Sequence, residues 1–324
     1  MAEWLVEEGI GEHRAALFDG DEILAARLQW PGSLAAGQVE DALLLSRQSG
    51  SARGTLRFAS GEEALVSSLP RDASEGSQLR AEILRPAMAE RGRHKLAQAR
   101  PTDAPPRLAP SLLESLLAEG QQARIVQRFP GREWEELWGE AWSGEIAFAG
   151  GSLAFFDTPA MTLVDVDGDL LPAQLAMAAV PPLARAIRRF DLGGSIGVDF
   201  PTLEQKAQRR EVDAALGRAL EGWPHERTAM NGFGFVQLVA RKQRAGLMAR
   251  IAHSRPSAAA RFLLRQAEGL QGAGAVQLSC HPAVKSRLKP EWLEELARRT
   301  GREVRIEAAP TLALDAGHAQ LVPR

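Results

Sequence analysis

The segment TLVDVDGD, residues 162–169, places Asp165 and Asp167 at the end of a short apolar run. The two aspartates are two positions apart, so in an extended strand their side chains share one face. A second segment, SIGVDF at residues 195–200, presents Asp199 after the same kind of apolar approach. A predicted helix separates the two segments, and this order favours two neighbouring buried strands that each end in an aspartate.

The carboxylates of Asp165 and Asp199 indicate a cation site. An ionised carboxylate in a buried strand is costly unless it is paired or bound to a cation. Mg²⁺ favours oxygen ligands and keeps several of its waters, so we expect these two residues to hold Mg²⁺, with Mn²⁺ as a substitute. Asp167 could be a further ligand or orient a water. In the alternative interpretation, residues 167–169 form a solvated turn and Asp199 caps the next helix. Spacing alone leaves both interpretations open.

Composition sets limits on the class of protein. The chain has 324 residues, of which 45% are hydrophobic and 25% charged, as in ordinary globular proteins. Its net charge of −2 means that any polyanionic partner must be met by local basic patches. A single cysteine, Cys280, excludes an intramolecular disulfide and a CxxC zinc site. No apolar run is long enough to span a membrane, and the first residues lack a signal pattern, so we expect a cytoplasmic location.

Strand and helix patterns predict a mixed α/β, multidomain fold of the α+β type. Five short strand-like runs in about 60 residues are typical of a small barrel such as the OB-fold. Four prolines in residues 100–111 suggest a stiff linker or a domain boundary. The predicted units are an N-terminal β segment that packs on the catalytic part (1–35), an OB-like module (36–100), a linker with a tryptophan helix (101–143), a metal-binding domain (144–254) and a small C-terminal α/β domain (255–324).

Three helix predictions concern the middle of the chain. Trp134, Trp138 and Trp142 are spaced by four residues, so they share one helical face, which we expect to be a core or interface stripe rather than a base-stacking surface. The segment 181–194, PPLARAIRRFDLGG, predicts a helix that starts at its prolines. The segment 202–220 predicts an amphipathic helix whose Thr202 and Gln205 have the spacing of a capping box.

Three segments carry a resemblance to a known family. They are GGSLAFFDTPAMTLVDVDG at 150–168, RRFDLGGSIGVDF at 188–200 and RREVDAALGRAL at 209–220. In order and spacing they resemble the catalytic core of the ribonuclease E/G family of bacterial endoribonucleases. The resemblance implies a deoxyribonuclease-I-like domain in which Asp165 and Asp199 bind one catalytic Mg²⁺. Asp167 stands where the family has an asparagine.

The resemblance extends along most of the chain. Residues 3–32 are similar to the family's N-terminal segment, and residues 42–100 stand where the family has an RNA-binding OB module. The segment MNGFGFVQLVARKQR, residues 230–244, looks like a family segment after the second metal-binding strand. The tail from about residue 258 resembles the small C-terminal domain. The chain therefore looks like a short form of the family.

The sequence also departs from the family pattern at several places. The insertion that reads the RNA 5′-monophosphate has no counterpart, and the cysteines of the family's zinc link are missing, so no zinc is expected. Gly232 stands at the position of a family arginine. An aspartate at 167 adds negative charge beside the metal but loses an amide donor.

Two basic runs are candidates for phosphate contacts, although the net charge of the whole chain is negative. Residues 85–100 contain five Lys or Arg and one glutamate, and residues 241–255 contain five and no acid. Such runs suit RNA phosphates, although solvated helix faces have the same composition. Phe58 could stack on a base, with a core role as the alternative. The candidate RNA-binding residues are Phe58, Arg93, Lys95, Arg241, Lys242 and Arg244.

The sequence thus predicts a Mg²⁺-dependent endoribonuclease that hydrolyses single-stranded RNA, with Asp165, Asp167 and Asp199 as its catalytic residues. By the family's chemistry the products carry 5′-phosphate and 3′-hydroxyl ends. The competing hypothesis is an RNA-binding protein with the nuclease fold and little or no cleavage, acting on ribosomal RNA or in ribosome assembly. A homodimer is compatible with either hypothesis. A nucleotide-binding fold is disfavoured because no phosphate-cradling glycine motif follows a strand.

Overall fold

The computed structural model describes residues 2–90 and 93–323, in which twenty strands and eight helices are formed. The strands are β1 Glu3–Gly9, β2 Glu12–Asp19, β3 Glu22–Gln29, β4 Val39–Arg47, β5 Gly54–Arg57, β6 Glu63–Val66, β7 Gln78–Arg85, β8 Met88–Glu90, β9 Arg93–Lys95, β10 Ala97–Pro101, β11 Ala123–Val126, β12 Glu145–Phe148, β13 Gly151–Asp157, β14 Thr162–Gly168, β15 Gly194–Asp199, β16 Glu226–Arg227, β17 Phe235–Ala240, β18 Ala275–Cys280, β19 Val304–Ala308 and β20 His318–Val322. The helices are α1 Leu112–Ala118, α2 Glu133–Ser143, α3 Pro172–Arg189, α4 Lys206–Ala219, α5 Leu247–His253, α6 Arg255–Glu268, α7 Pro282–Lys285 and α8 Pro290–Thr300.

The N-terminal strands form a four-stranded sheet in the order β11-β1-β2-β3. The β2–β3 hairpin turns at Gly20, whose φ of 60° is the left-handed conformation that glycine adopts without strain. Apolar residues of this sheet, such as Leu5 and Phe18, belong to the same buried cluster as the central sheet described below. The N-terminal sheet therefore shares its buried cluster with the sheet that carries the acidic residues.

A closed five-stranded barrel follows, with the strand order β10-β6-β5-β4-β7. Its interior is a separate apolar cluster that includes Leu44, Leu56 and Ile83. The prediction of a small barrel in this part of the chain is therefore confirmed. The segment after it is not a bare linker, because α1 and β11 pack on the N-terminal sheet.

The central sheet has six strands in the order β12-β13-β14-β15-β17-β16. Within it β14 and β15 run parallel, and their neighbours are antiparallel. Helix α3 covers one face, and it begins at Pro172, nine residues before the predicted start. Proline is tolerated at the first helical position, and Leu175 and Val180 are already buried against the sheet. Pro181 and Pro182 lie inside the helix, which corrects the prediction that they begin it.

The C-terminal residues form a three-stranded sheet in the order β19-β18-β20, with α6, α7 and α8 around a third apolar cluster. The tryptophan stripe of α2 packs towards α6, where Trp138 stacks on Phe262 with ring centroids 4.1 Å apart. The fold is thus mixed α and β, with several mixed sheets and one closed barrel. Of the eight helices in the described residues, none combines the length and apolar composition needed to cross a bilayer.

Candidate functional site

Asp165 and Asp199 are direct partners in the parallel ladder between β14 and β15. Val164, Val166, Val198 and Phe200 alternate with them and are buried. Because side chains alternate between the two faces of a strand, burial of these neighbours forces both aspartates onto the opposite face. Adjacent strands lie about 4.8 Å apart, so the sheet holds the two carboxylates side by side.

The face that carries the two aspartates is open to solvent. Asp165, Asp167 and Asp199 are all exposed. The strands are central, but these carboxylates are not buried, so the desolvation argument that pointed to a cation does not apply. What remains in favour of a cation is the proximity of the like charges.

Asp167 shares the open face with the pair, two residues further along β14. It lies opposite Ser152 of β13, and its Oδ1 accepts a hydrogen bond from the Gly168 amide at 2.9 Å. The other carboxylate oxygen, Oδ2, makes no hydrogen bond within the described residues. Asp167 can therefore offer an oxygen to a cation or to a water near the pair.

The alternative of a solvated turn and a helix cap does not match the geometry. Asp167 lies within β14 rather than in a turn. Asp199 ends β15, and α4 is preceded by Gln205 at its N-cap position, six residues later. The two residues are therefore strand residues on one face.

The donor set suits Mg²⁺, which binds through one or two carboxylates and retains several waters. Among residues 2–90 and 93–323, no group of three or more His, Cys, Asp or Glu side chains is assembled as a cation cage. A site built on Asp165 and Asp199 would thus leave much of the coordination sphere to water or substrate.

Aromatic rings lie near the acidic pair, and none of them was among the residues predicted from the sequence. Phe235 lies opposite Asp199 on β17, and a Cβ built at Gly197 would come within 2.5 Å of its ring. Phe156, on β13, is 50% exposed, and Phe233 is 79% exposed. Phe156 could have been found from the alternation of β13, since every second residue there faces away from α3.

The turn that carries Phe233 is held by Asn231. Its Oδ1 accepts hydrogen bonds from the amides of Phe233 and Phe235, at 2.9 and 3.0 Å. The Thr202 hydroxyl donates to the Phe233 carbonyl at 3.3 Å. The exposed ring therefore projects from a fixed backbone.

A cavity of about 300 Å³ opens where β14 and β15 begin, between the central sheet and the barrel. Lys95 and Lys242 line it together with Arg85, Thr158 and Ser195. The structure thus brings together one lysine from each of the two predicted basic runs. Asp165 is the third residue after Thr162, which lies at the cavity, so about 10 Å of strand joins the cavity to the acidic pair.

The other residues predicted to contact RNA, Arg241, Arg244 and Arg93, differ in how available their side chains are. Arg241 is exposed and lies beside Lys242. Arg244 is held by an ion pair with Asp191, Nε to Oδ2 at 2.5 Å, which reduces its availability to a phosphate. The side chain of Arg93 lies outside the described residues.

Phe58 requires a correction. Its side chain is 3% exposed and belongs to the barrel core, so it presents no face on which a base could stack. The alternative given for it, a core phenylalanine, is the one the structure supports.

No known protein-family model matches the chain.

Proposed function

We propose that the protein is a Mg²⁺-dependent endoribonuclease of the ribonuclease E/G type that cleaves single-stranded RNA. The observation that carries the proposal is the side-by-side placement of Asp165 and Asp199 on the open face of the central sheet. A pair of carboxylates on an accessible face suits a divalent cation and a phosphodiester at the same time, because the substrate can reach the ion without a rearrangement of the fold.

In this proposal Asp165 and Asp199 hold Mg²⁺. The bound ion would neutralise charge on the scissile phosphate and lower the pKa of a bound water. Asp167 would either orient that water or add its negative charge beside the ion. Hydrolysis by this route leaves 5′-phosphate and 3′-hydroxyl ends.

Lys95, Lys242 and Arg241 would bind phosphates of the same strand. Their place at the start of β14 and β15 puts positive charge about 10 Å from the acidic pair. In an extended RNA chain, this distance is less than twice the spacing between neighbouring phosphates. Contacts of this kind fix position and affinity without selecting sequence.

The second candidate is an RNA-binding protein with the nuclease fold and little cleavage, acting on ribosomal RNA or in ribosome assembly. Solvent exposure of Asp165 and Asp199 favours it, because exposed carboxylates cost the fold little even when no ion is bound. The pairing of Arg244 with Asp191 also removes one cation from the substrate side.

Cleavage of a labelled, unstructured oligoribonucleotide decides between the two. The enzyme hypothesis expects cleavage with Mg²⁺, none with EDTA, and a loss of at least about a hundredfold in Asp199→Asn. Glu294→Gln, an exposed acid on α8 of the C-terminal unit, serves as the matched control and should cut like the wild type. RNA binding without cleavage in the wild-type protein would support the second candidate.

A further inference from the structure

A second cleft, of about 560 Å³, lies between the N-terminal sheet, the barrel, α1 and the segment 241–250. Trp30, Leu84 and Leu112 form apolar parts of its wall, and Arg241 and Arg250 are among its cations. It is separated from the acidic pair by the first cavity, with which it shares Arg85, Gln98 and Lys242. The cleft is of the size that binds small molecules in proteins.

Arg250 of α5 is the unusual residue of this cleft. Its Nε is buried and has no hydrogen-bond partner. Within the described residues the guanidinium forms no ion pair, and it lies over the Trp30 ring, 5.5 Å from the centroid. Desolvation by burial lowers the pKa of Arg250. A guanidinium in this position is stabilised when an anion supplies the missing acceptor.

Two other arginines of the cleft already have carboxylate partners. Arg27 donates two hydrogen bonds to the Glu119 carboxylate, at 2.9 and 2.5 Å. Arg244 is neutralised by Asp191, as described above. Arg241 makes no hydrogen bond or ion pair in the part of the chain that the structure describes. Arg85 donates to the backbone carbonyls of Pro86 and Leu96, at 3.4 and 3.1 Å, so two of the five guanidiniums of the cleft are left for a ligand.

The cleft also has an apolar part of its wall. Leu28, Leu34 and Leu112 are buried side chains that line it, whereas Leu84 is 47% exposed. A simple inorganic anion would leave most of this volume unfilled. The cleft fits an anion that carries a larger, weakly polar body.

We propose that this cleft binds a phosphorylated ligand of nucleotide size, with its phosphate group between Arg250 and Arg241. The ligand is either a free nucleotide or one nucleotide of an RNA strand, since both offer the same phosphate and ring. The site is separate from the acidic pair and its occupation does not depend on hydrolysis.

Isothermal titration with uridine monophosphate tests the site in the full-length protein without Mg²⁺. We expect saturable binding to the wild type, and affinity weakened roughly tenfold or more in Arg250→Gln, because a hydrogen bond to a charged group is lost. Arg241→Gln should also bind more weakly. Arg287→Gln, an exposed arginine of the C-terminal unit, is the matched control and should bind like the wild type.

Uridine and an oligouridylate without terminal phosphates complete the experiment. Uridine should not bind measurably, since it has no phosphate. Competition by the oligonucleotide assigns the site to an RNA strand, and absence of competition assigns it to a free nucleotide. Equal binding of uridine and uridine monophosphate, no binding of the monophosphate to the wild type, or unchanged affinity in Arg250→Gln would overturn the proposal.

Stability without ligand separates a binding role from a structural one. If Arg250 is held for a ligand, Arg250→Gln should unfold at the same or a higher denaturant concentration, because a buried unpaired charge is removed. A clear loss of stability with normal monophosphate affinity would show a structural role and reject the proposal. Asp165→Asn should keep the wild-type affinity, so a failure of the nuclease proposal leaves this result unaffected.

Discussion

Glu7 of β1 and Arg265 of α6 form a bidentate ion pair in the interior, although they are 258 residues apart in the chain. Arg265 donates to the two Glu7 oxygens at 3.0 and 3.3 Å, and the residues are 4% and 2% exposed. Glu7 also accepts hydrogen bonds from Arg14 and from the Phe129 amide. One carboxylate therefore ties the N-terminal sheet to the C-terminal unit.

Glu7→Gln should lower the free energy of unfolding by about 3 kcal/mol, because two buried guanidiniums lose a charged partner at once. Urea unfolding followed by tryptophan fluorescence measures the change. Arg298→Gln, on an exposed ion pair with Glu295, is the control and should leave the midpoint unchanged. A midpoint unchanged in Glu7→Gln as well would contradict the assignment of Glu7 as the joining residue.

His13 of β2 should make stability depend on pH. Burial lowers its pKa in the folded protein, with the nearby Glu8 carboxylate acting in the opposite direction. As the pH falls below about 6.5, the unfolded chain binds the proton before the folded one, so unfolding becomes more favourable. The contribution is fully present above that pH and is lost as the pH falls through the folded pKa.

The measurement compares unfolding free energies at pH 7.5 and pH 5.5. His13→Gln should lose less stability over this interval than the wild type, whereas the exposed His318→Gln should follow the wild type. Identical losses in the wild type and His13→Gln would show that burial does not suppress protonation of this histidine.

The elements around the acidic pair could be predicted because alternation and apolar runs are local signals. The apolar approach to Asp165 and to Asp199 indicated two strands, and both formed with the two residues in register. Which face the carboxylates occupy could not be read from the same pattern. It is decided by α3, which covers the valine side and leaves the aspartates in solvent.

Long-range contacts explain the remaining differences. Thr202 has the spacing of a capping residue, yet α4 begins at Lys206 because the Thr202 hydroxyl donates to the Phe233 carbonyl, 31 residues away. Arg244 looked like a free cation, and its partner Asp191 is 53 residues distant in sequence. Neither contact can be recognised from the spacing of residues along the sequence.

Phe233 should contribute to RNA binding and not to stability. Its ring is 79% exposed on a turn fixed by Asn231, so Phe233→Ala should leave the unfolding midpoint unchanged. In the proposed function it should weaken binding of single-stranded RNA by about 1–3 kcal/mol, the range for loss of one stacked base. Fluorescence anisotropy with a labelled oligoribonucleotide measures this change.

Two further variants serve as controls for Phe233→Ala. Leu108→Ala removes a side chain that is 88% exposed and apolar but not aromatic, and it should bind RNA normally. Phe58→Ala should lower stability by about 3–5 kcal/mol, since it empties part of the barrel core. Full RNA affinity in Phe233→Ala would remove this ring from the binding surface.

Asp167 gives the sharpest test of how the acidic face handles a cation. It lies two residues from Asp165 on the same face, about 7 Å along the strand. A unit charge and a divalent ion at that separation in water interact by about 1.2 kcal/mol. Asp167→Asn should therefore raise the Mg²⁺ concentration needed for half-maximal cleavage several-fold, while the new amide can donate to a phosphate and sustain the maximal rate.

A Mg²⁺ titration of cleavage, at fixed ionic strength, separates these two effects of Asp167→Asn. Asp169→Asn removes an equal charge from an exposed position beyond the end of β14, and it should shift the titration less. If both variants shift it equally, only the overall charge of the face matters. If Asp167→Asn instead lowers the maximal rate and leaves the Mg²⁺ requirement unchanged, then the Asp167 carboxylate acts on the attacking water rather than on the ion.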